Sequence, residues 1–158
     1  MSAGPRCWTD WLSANRVRVK KMSESEQRLQ RAVQGFLAAF RNLSWDSFLG
    51  AFDNGATVFF PFAGLPRRAS GIEEIAAGFT PLFESLRNQH PAGPPYLPLV
   101  PLDLRMTVSG HMALITFHID DSADERATLC RRTMVWIDDG SQWRILHLHA
   151  SNMPAELR

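Results

Sequence analysis

From residue 29 the apolar positions run Leu29, Ala32, Val33, Phe36, Leu37, Phe40, with polar side chains (Arg28, Gln30, Arg31, Gln34, Arg41) between them. Steps of three and one lay a single apolar stripe along a helix of roughly five turns. Ser23-Glu24-Ser25-Glu26 just before it has the Ser-x-x-Glu form of a capping box, which satisfies amide groups at a helix start. Ser44 then opens a short second helix with Trp45, Phe48, Leu49 and Phe52 on one face, and Asp53-Asn54-Gly55 is expected to end it. Ala56–Phe60 reads as a short strand broken by Pro61. Ser70-Gly71-Ile72-Glu73 resembles a second capping box, followed by Ile75, Phe79, Leu82, Phe83 and Leu86; Pro81 is expected to kink or restart that helix at Thr80. Residues 88–98 read as a loop.

After residue 100 the period changes from helical to twofold. Leu102, Leu104, Met106 and Val108 alternate with Asp103, Arg105, Thr107 and Ser109, which predicts a half-buried strand. Ser109-Gly110 turns the chain into a strand over 112–119. An acidic loop over 120–125 leads to a strand over 126–137, and Asp138-Asp139-Gly140 marks a hairpin into a last strand over 142–151. Helices first and a meander afterwards predict an α+β domain with the helices on one face of the sheet. In the last strand Trp143, Ile145, His147 and His149 fall on one side by alternation, and Leu146, Leu148 and Ala150 on the other. None of these side chains carries a formal charge, so both sides need cover, and a second copy of the chain would supply it on the face the helices leave open.

Composition narrows the function classes. The 158 residues are 45% hydrophobic and 21% charged, and ten Phe and five Trp stand against one Tyr. This suits a packed core or a ring-lined pocket. The net charge of +1 divides into +4 over residues 1–22 and −3 over the rest. The folded part is therefore not basic, and no nucleic acid partner is expected. Residues 1–22 lack any period and are read as a disordered extension, or as following an upstream start with Met22 the natural one. One domain is expected over 23–153, and a tail over 154–158. Cys7 and Cys130 form no Cys-x-x-Cys pair, so neither a disulfide nor a cysteine zinc site is expected. With no apolar run long enough for a membrane span, no membrane partner is expected and a cytoplasmic setting is the default.

The run from Thr133 to Ser151 carries a resemblance. Trp136 before the turn, Gly140 in it, Trp143 after it and the ending His147-x-His149-x-Ser151 resemble the closing hairpin of the nuclear transport factor 2-like superfamily. The likeness is greatest to its SnoaL-like branch and to the association (hub) domain of calcium/calmodulin-dependent protein kinase II. It extends to Phe36–Phe40, to 53–58 and to Gly71, and so covers roughly 24–153. The resemblance implies a cystatin-like cone, in which a curved antiparallel sheet wraps around three helices and encloses a pocket.

What it implies for chemistry is mostly subtraction. Ketosteroid isomerase relatives place an aspartate base just before a proline; here the dipeptide is Phe60-Pro61, and the sole Tyr96 lies in the Pro-rich loop. The arginines of the hub pocket fall on Ile119, Met134 and Ala150. Arg132, two before Met134, shares its side and is the one cation expected inside. The implied pocket is Phe36, Phe60, Phe62, Phe117, Ile119, Cys130, Arg132, Met134 and Leu148, with Cys130 a small buried hydrophobe. Trp143, His147 and His149 are placed outside, toward a dimer partner, and no metal site or cofactor is expected.

Three functions follow from these residues. The first is a homodimer whose apolar pocket binds a small hydrophobic molecule. The second is an enzyme of the polyketide-cyclase or isomerase kind, with Arg132 for an oxyanion and Asp103 or Asp53 as acid or base. The third is an oligomerisation module.

Overall fold

Ser23 Oγ accepts from the Glu26 amide at 3.1 Å, and the Glu26 carboxylate accepts from the Ser23 amide at 2.7 Å. This reciprocal pair opens α1, Glu24–Arg41, whose buried side is Leu29, Val33, Phe36 and Ala39. The computed structural model describes residues 22–65, 67–97, 99–121 and 128–153. Most of the expected N-terminal extension with Cys7, the tip of the acidic loop and the tail therefore lie outside the described residues. After α1 come α2 (Trp45–Leu49), β1 (Phe52–Phe59), β2 (Ala69–Ser70), α3 (Ile72–Gln89), β3 (Pro101–Ser109), β4 (Met112–Asp121), β5 (Thr128–Asp138) and β6 (Trp143–Met153).

The six strands form one curved, open sheet in the order β2-β1-β6-β5-β4-β3. The β3–β6 meander is antiparallel throughout, but β1 lies parallel to β6, so the sheet is mixed rather than wholly antiparallel. A short turn cannot join parallel neighbours, and everything between β1 and β6 serves as their connection. The α+β class and the cystatin-like architecture expected above are what the chain adopts.

Local details depart from the sequence reading where one rule overrode another. Asp53-Asn54-Gly55 lies inside β1, not at a helix end; Asp53 Oδ1 accepts from the Gly55 amide at 2.9 Å while the pairing with β6 slips between Phe52 and Thr57. Burial of Phe52 draws the chain into the sheet four residues earlier than expected, and α2 closes at Gly50. The left-handed residue near these helix ends is Leu43, φ 49°, buried in the core between α1 and α2. The second capping box is displaced: Gly71 is the cap residue, and Glu74 rather than Glu73 accepts from the Ser70 amide, at 2.8 Å. Helix α3 runs on through exposed Pro81 without restarting.

Two irregularities decide which side chains face the helices. In β3 the register shifts between Leu102 and Arg105 around Asp103, φ 47°, so the strict alternation fails and Leu102 is exposed. In β6 Trp136 pairs with Ile145 and Val135 with His147, leaving Leu146 as the extra residue of a bulge. Trp143 and Ile145 consequently point into the core, while His147 and His149 point out. Placing Trp143 on the outer face with the histidines is thus corrected. It is 4% exposed, and its indole N–H donates to Ser25 O at 3.1 Å.

Candidate functional site

The inward rows of the sheet follow from strand register. Ile115, Met134, Leu148 and Val58 form one row across β4, β5, β6 and β1. Phe117, Arg132 and Ala150 form the next, and Ile119, Cys130 and Asn152 the third. Opposite them stand Phe36 and Phe40 of α1 and Phe79 and Leu82 of α3, with Phe60-Pro61-Phe62 crossing one end. Between these layers lies a cavity of about 50 Å³; a wider space of about 230 Å³, the vestibule, shares Phe62, Leu82, Ile119 and Arg132 with it.

Phe36, Phe60, Phe62, Phe117, Ile119, Arg132, Met134 and Leu148 all line the inner cavity; Cys130 lines only the vestibule, with Asn152. Sequence reasoning missed Phe40, Phe79 and Leu99. The first two were visible only as stripe residues, and Leu99 comes from a loop with no period to place it.

Arg132 is the sole charged side chain among the described residues lining this space. One amino group, Nη1, donates to Arg131 O at 2.9 Å and to Ser151 O and Asn152 Oδ1 at 3.3 Å each. Burial lowers the guanidinium from its ordinary value, with neighbouring Cys130 acting in the opposite sense. Asp53 and Asp103 lie elsewhere: the first caps Gly55, and the second, exposed, pairs with Arg105 at 3.0 Å. No carboxylate or histidine lines the cavity among the described residues, which hold no group of three potential metal-ligating side chains either.

The end wall depends on a missing side chain. A Cβ on Gly78 would fall 2.4 Å from Phe60 Cζ, so the Phe60 ring fits against α3 only because residue 78 has none. Beyond Phe60 a separate cleft is lined by Arg67, Arg68 and Glu74. Gly78→Ala is expected to gain helix propensity but displace that ring, for a net loss of about 1–2 kcal/mol. Urea denaturation measures it, and a stabilised variant would show that the ring moves freely.

The outer face carries two rows of its own. Leu114, Val135, His147 and Thr57 align, as do Thr116, Thr133, His149 and Phe59. His147 Nδ1 lies 2.7 Å from Thr57 Oγ1, and Phe59 meets both imidazoles at 5.6 Å between ring centres. Burial is the main cause that lowers His147 from the usual histidine value; positive charge on His149 and Arg68 adds to it, against the Thr57 hydrogen bond.

The SnoaL-like domain model matches residues 29–156. The chain belongs to the SnoaL-like family. No curated protein matches it by sequence. Among solved structures, a nuclear transport factor 2-like protein of unknown function from Pseudomonas putida superposes with TM-score 0.66 at 16% identity, over 83% of this chain and 89% of that one. A Caulobacter vibrioides protein with a cystatin-like fold gives 0.61 at 13% identity, covering 85% and 93%. The association domain of C. elegans calcium/calmodulin-dependent protein kinase II gives 0.55 at 18% identity, covering 80% and 95%. At these identities the likeness establishes the fold of this SnoaL-like chain, and its function must be argued from its own residues.

Proposed function

We propose that the chain is a homodimeric SnoaL-like domain whose apolar cavity binds a small, largely hydrophobic molecule. The observation that carries this reading is the cavity lining: apolar side chains from four strands and three helices converge on one space, beside a wider vestibule. The volumes favour a compact ligand, with a few carbon atoms inside and the remainder in the vestibule. The buried thiol of Cys130 is consistent with a reducing, cytoplasmic setting. No helix among the described residues is long and apolar enough to cross a membrane.

The dimer is supported by the outer face, where Phe59, Met112 and Leu114 are exposed around Val135 and Ile137. Native mass spectrometry of freshly purified protein tests both parts. The expected result is a dimer that retains a small-molecule mass; monomer alone across micromolar concentrations overturns the dimer. Leu114→Glu, which would bury a carboxylate at such an interface, is expected to weaken dimerisation about tenfold or more. Sedimentation equilibrium would read that change, and unaltered association would remove this face from the interface.

The same outer face supports a second reading as an association module, like the association domain of the kinase it superposes on. A ring larger than a dimer in the same spectrum would favour it. The enzyme reading needs an acid or base at the cavity, and neither Asp53 nor Asp103 reaches it.

A further inference from the structure

Four features outside the hydrophobic core could recognise something: the outer histidine face, the Arg67–Arg68 cleft, the vestibule thiol of Cys130, and the guanidinium of Arg132. The last is carried furthest by its geometry. We propose that the molecule bound in the cavity is an amphiphilic organic anion, a small carboxylate whose apolar part occupies the inner cavity and whose carboxylate rests on Arg132. This depends on the ligand-binding reading above and adds the headgroup to it.

Arg132 sits in the second inward row, between Phe117 on β4 and Ala150 on β6, with Met134 and Cys130 as the next inward positions along β5. Its register thus directs a cation toward an otherwise apolar space. Removing a guanidinium from water is costly unless its donors are met. Among the described residues the guanidinium meets two backbone carbonyls and the Asn152 side chain through Nη1, together with the Cys130 side chain, and none of these is a carboxylate. A guanidinium carries five N–H donors in a rigid fork, and a carboxylate presents two oxygens at matching separation. A neutral ligand pushed into the vestibule would strip water from that fork and return weaker bonds. A carboxylate would return charge-assisted ones.

Two observations select a singly charged acid over a phosphate. Only one cation faces the space among the described residues, so a dianion would keep excess charge against apolar walls. Arg67 and Arg68 cannot add to it, because they line the cleft on the far side of the Phe60 ring. Burial lowers the Arg132 guanidinium from its ordinary value, against the opposing effect of Cys130, and an anion beside it would act in the raising sense.

The test compares hexanoate with hexanamide, probes of equal length and similar shape, by isothermal titration calorimetry on the full chain at pH 7.5. Hexanoate is expected to bind about tenfold or more tightly than hexanamide. Arg132→Gln should remove the difference between hexanoate and hexanamide; Arg132→Lys should restore part of it. A role confined to holding β5 against the end of β6 would instead lower the melting temperature of Arg132→Gln without separating the two probes.

Equal binding of both probes by the unaltered protein overturns the anionic headgroup and leaves the apolar cavity standing. Binding of neither overturns the cavity reading, and the headgroup with it. A preference for hexanoate that survives in Arg132→Gln assigns the anion to another group. Because the wild-type comparison decides the first point, the proposal remains testable even if Arg132→Gln folds poorly.

Discussion

Phe48→Ala is expected to lower the unfolding free energy by about 3–5 kcal/mol, the largest effect of any single truncation considered for this chain. Helix α2 is only five residues long and owes its place to this ring. Phe48 is fully buried and packs against Phe79 at 4.8 Å, Phe83 at 4.9 Å, Phe36 and Phe40 at 5.3 Å and Phe52 at 5.5 Å between ring centres. It therefore joins α1, α3 and the start of β1 at one point. Removing it costs the transfer free energy of the ring together with the edge-to-face contacts it makes. Phe48→Leu keeps most of the volume and should cost about 1–2 kcal/mol. Urea denaturation distinguishes the two. Similar losses for both substitutions would mean that the site collapses around the smaller side chain, and that the cluster is not a rigid junction.

Asp138→Ala is the second large effect, about 2–3 kcal/mol, and it should depend on pH. Asp138 ends β5 and accepts from the Arg28 guanidinium, from Ser25 Oγ at 3.1 Å and from the Gly140 amide at 3.0 Å. Its side chain is 9% exposed and that of Arg28 29%, so the pair lies between a solvated bridge and a buried one. With the Trp143 bond to Ser25 O, it clasps the first turn of α1 to the closing hairpin. Burial alone would raise the Asp138 carboxyl; the hydrogen bonds from Gly140, Arg28 and Ser25 outweigh it and hold the group below its ordinary value. Asp139, in the same turn, is lowered to about 2 by the Gln142 amide first, then by the hydroxyl and amide of Ser141. A depressed carboxyl contributes stability that is present above its unfolded value, about 3.9, and lost as pH falls through the folded one. The gap in unfolding free energy between wild type and Asp138→Ala should accordingly be full at pH 7 and shrink as pH drops below about 4. A gap that stays constant from pH 7 to pH 2.5 would assign the effect to packing instead of charge.

The residues that made the fold legible are those whose local rule and tertiary setting agree. Ser23 and Glu26 form the capping box their spacing predicts, and the stripe from Leu29 to Phe40 faces the core. The misreadings cluster where the backbone count changes. Alternation assigns faces only while each strand advances one residue per partner, and the extra residue at Leu146 reverses the assignment for Trp143 and Ile145. Nothing in the side chains from Ile145 to His147 announces that residue, because Leu146 is an ordinary strand former. The shift around Asp103 is equally silent. The parallel approach of β1 to β6 is a long-range pairing with no local signature either.

The cavity lining was legible for β4 and β5, whose mutual register is unbroken from Met112 to Asp121, so parity holds along both strands. Arg132 was singled out because a cation in an apolar row is conspicuous. What could not be read was Leu99 or the partition of Cys130 from the inner cavity, since both depend on how the helices and loops sit over the sheet.

The strand order has a consequence for how this protein is made. β6, the last of the six described strands in chain order, lies between β1 and β5 and joins β1–β2 to the rest of the meander. Until its residues clear the ribosome, β1 has no partner on that side, and the apolar faces of α1 and α3 lack the part of the sheet that β6 supplies. Folding is therefore expected to wait for the emergence of β6 instead of advancing strand by strand with synthesis. A nascent chain stalled before Trp143 has left the exit tunnel should remain open to protease along its whole described length.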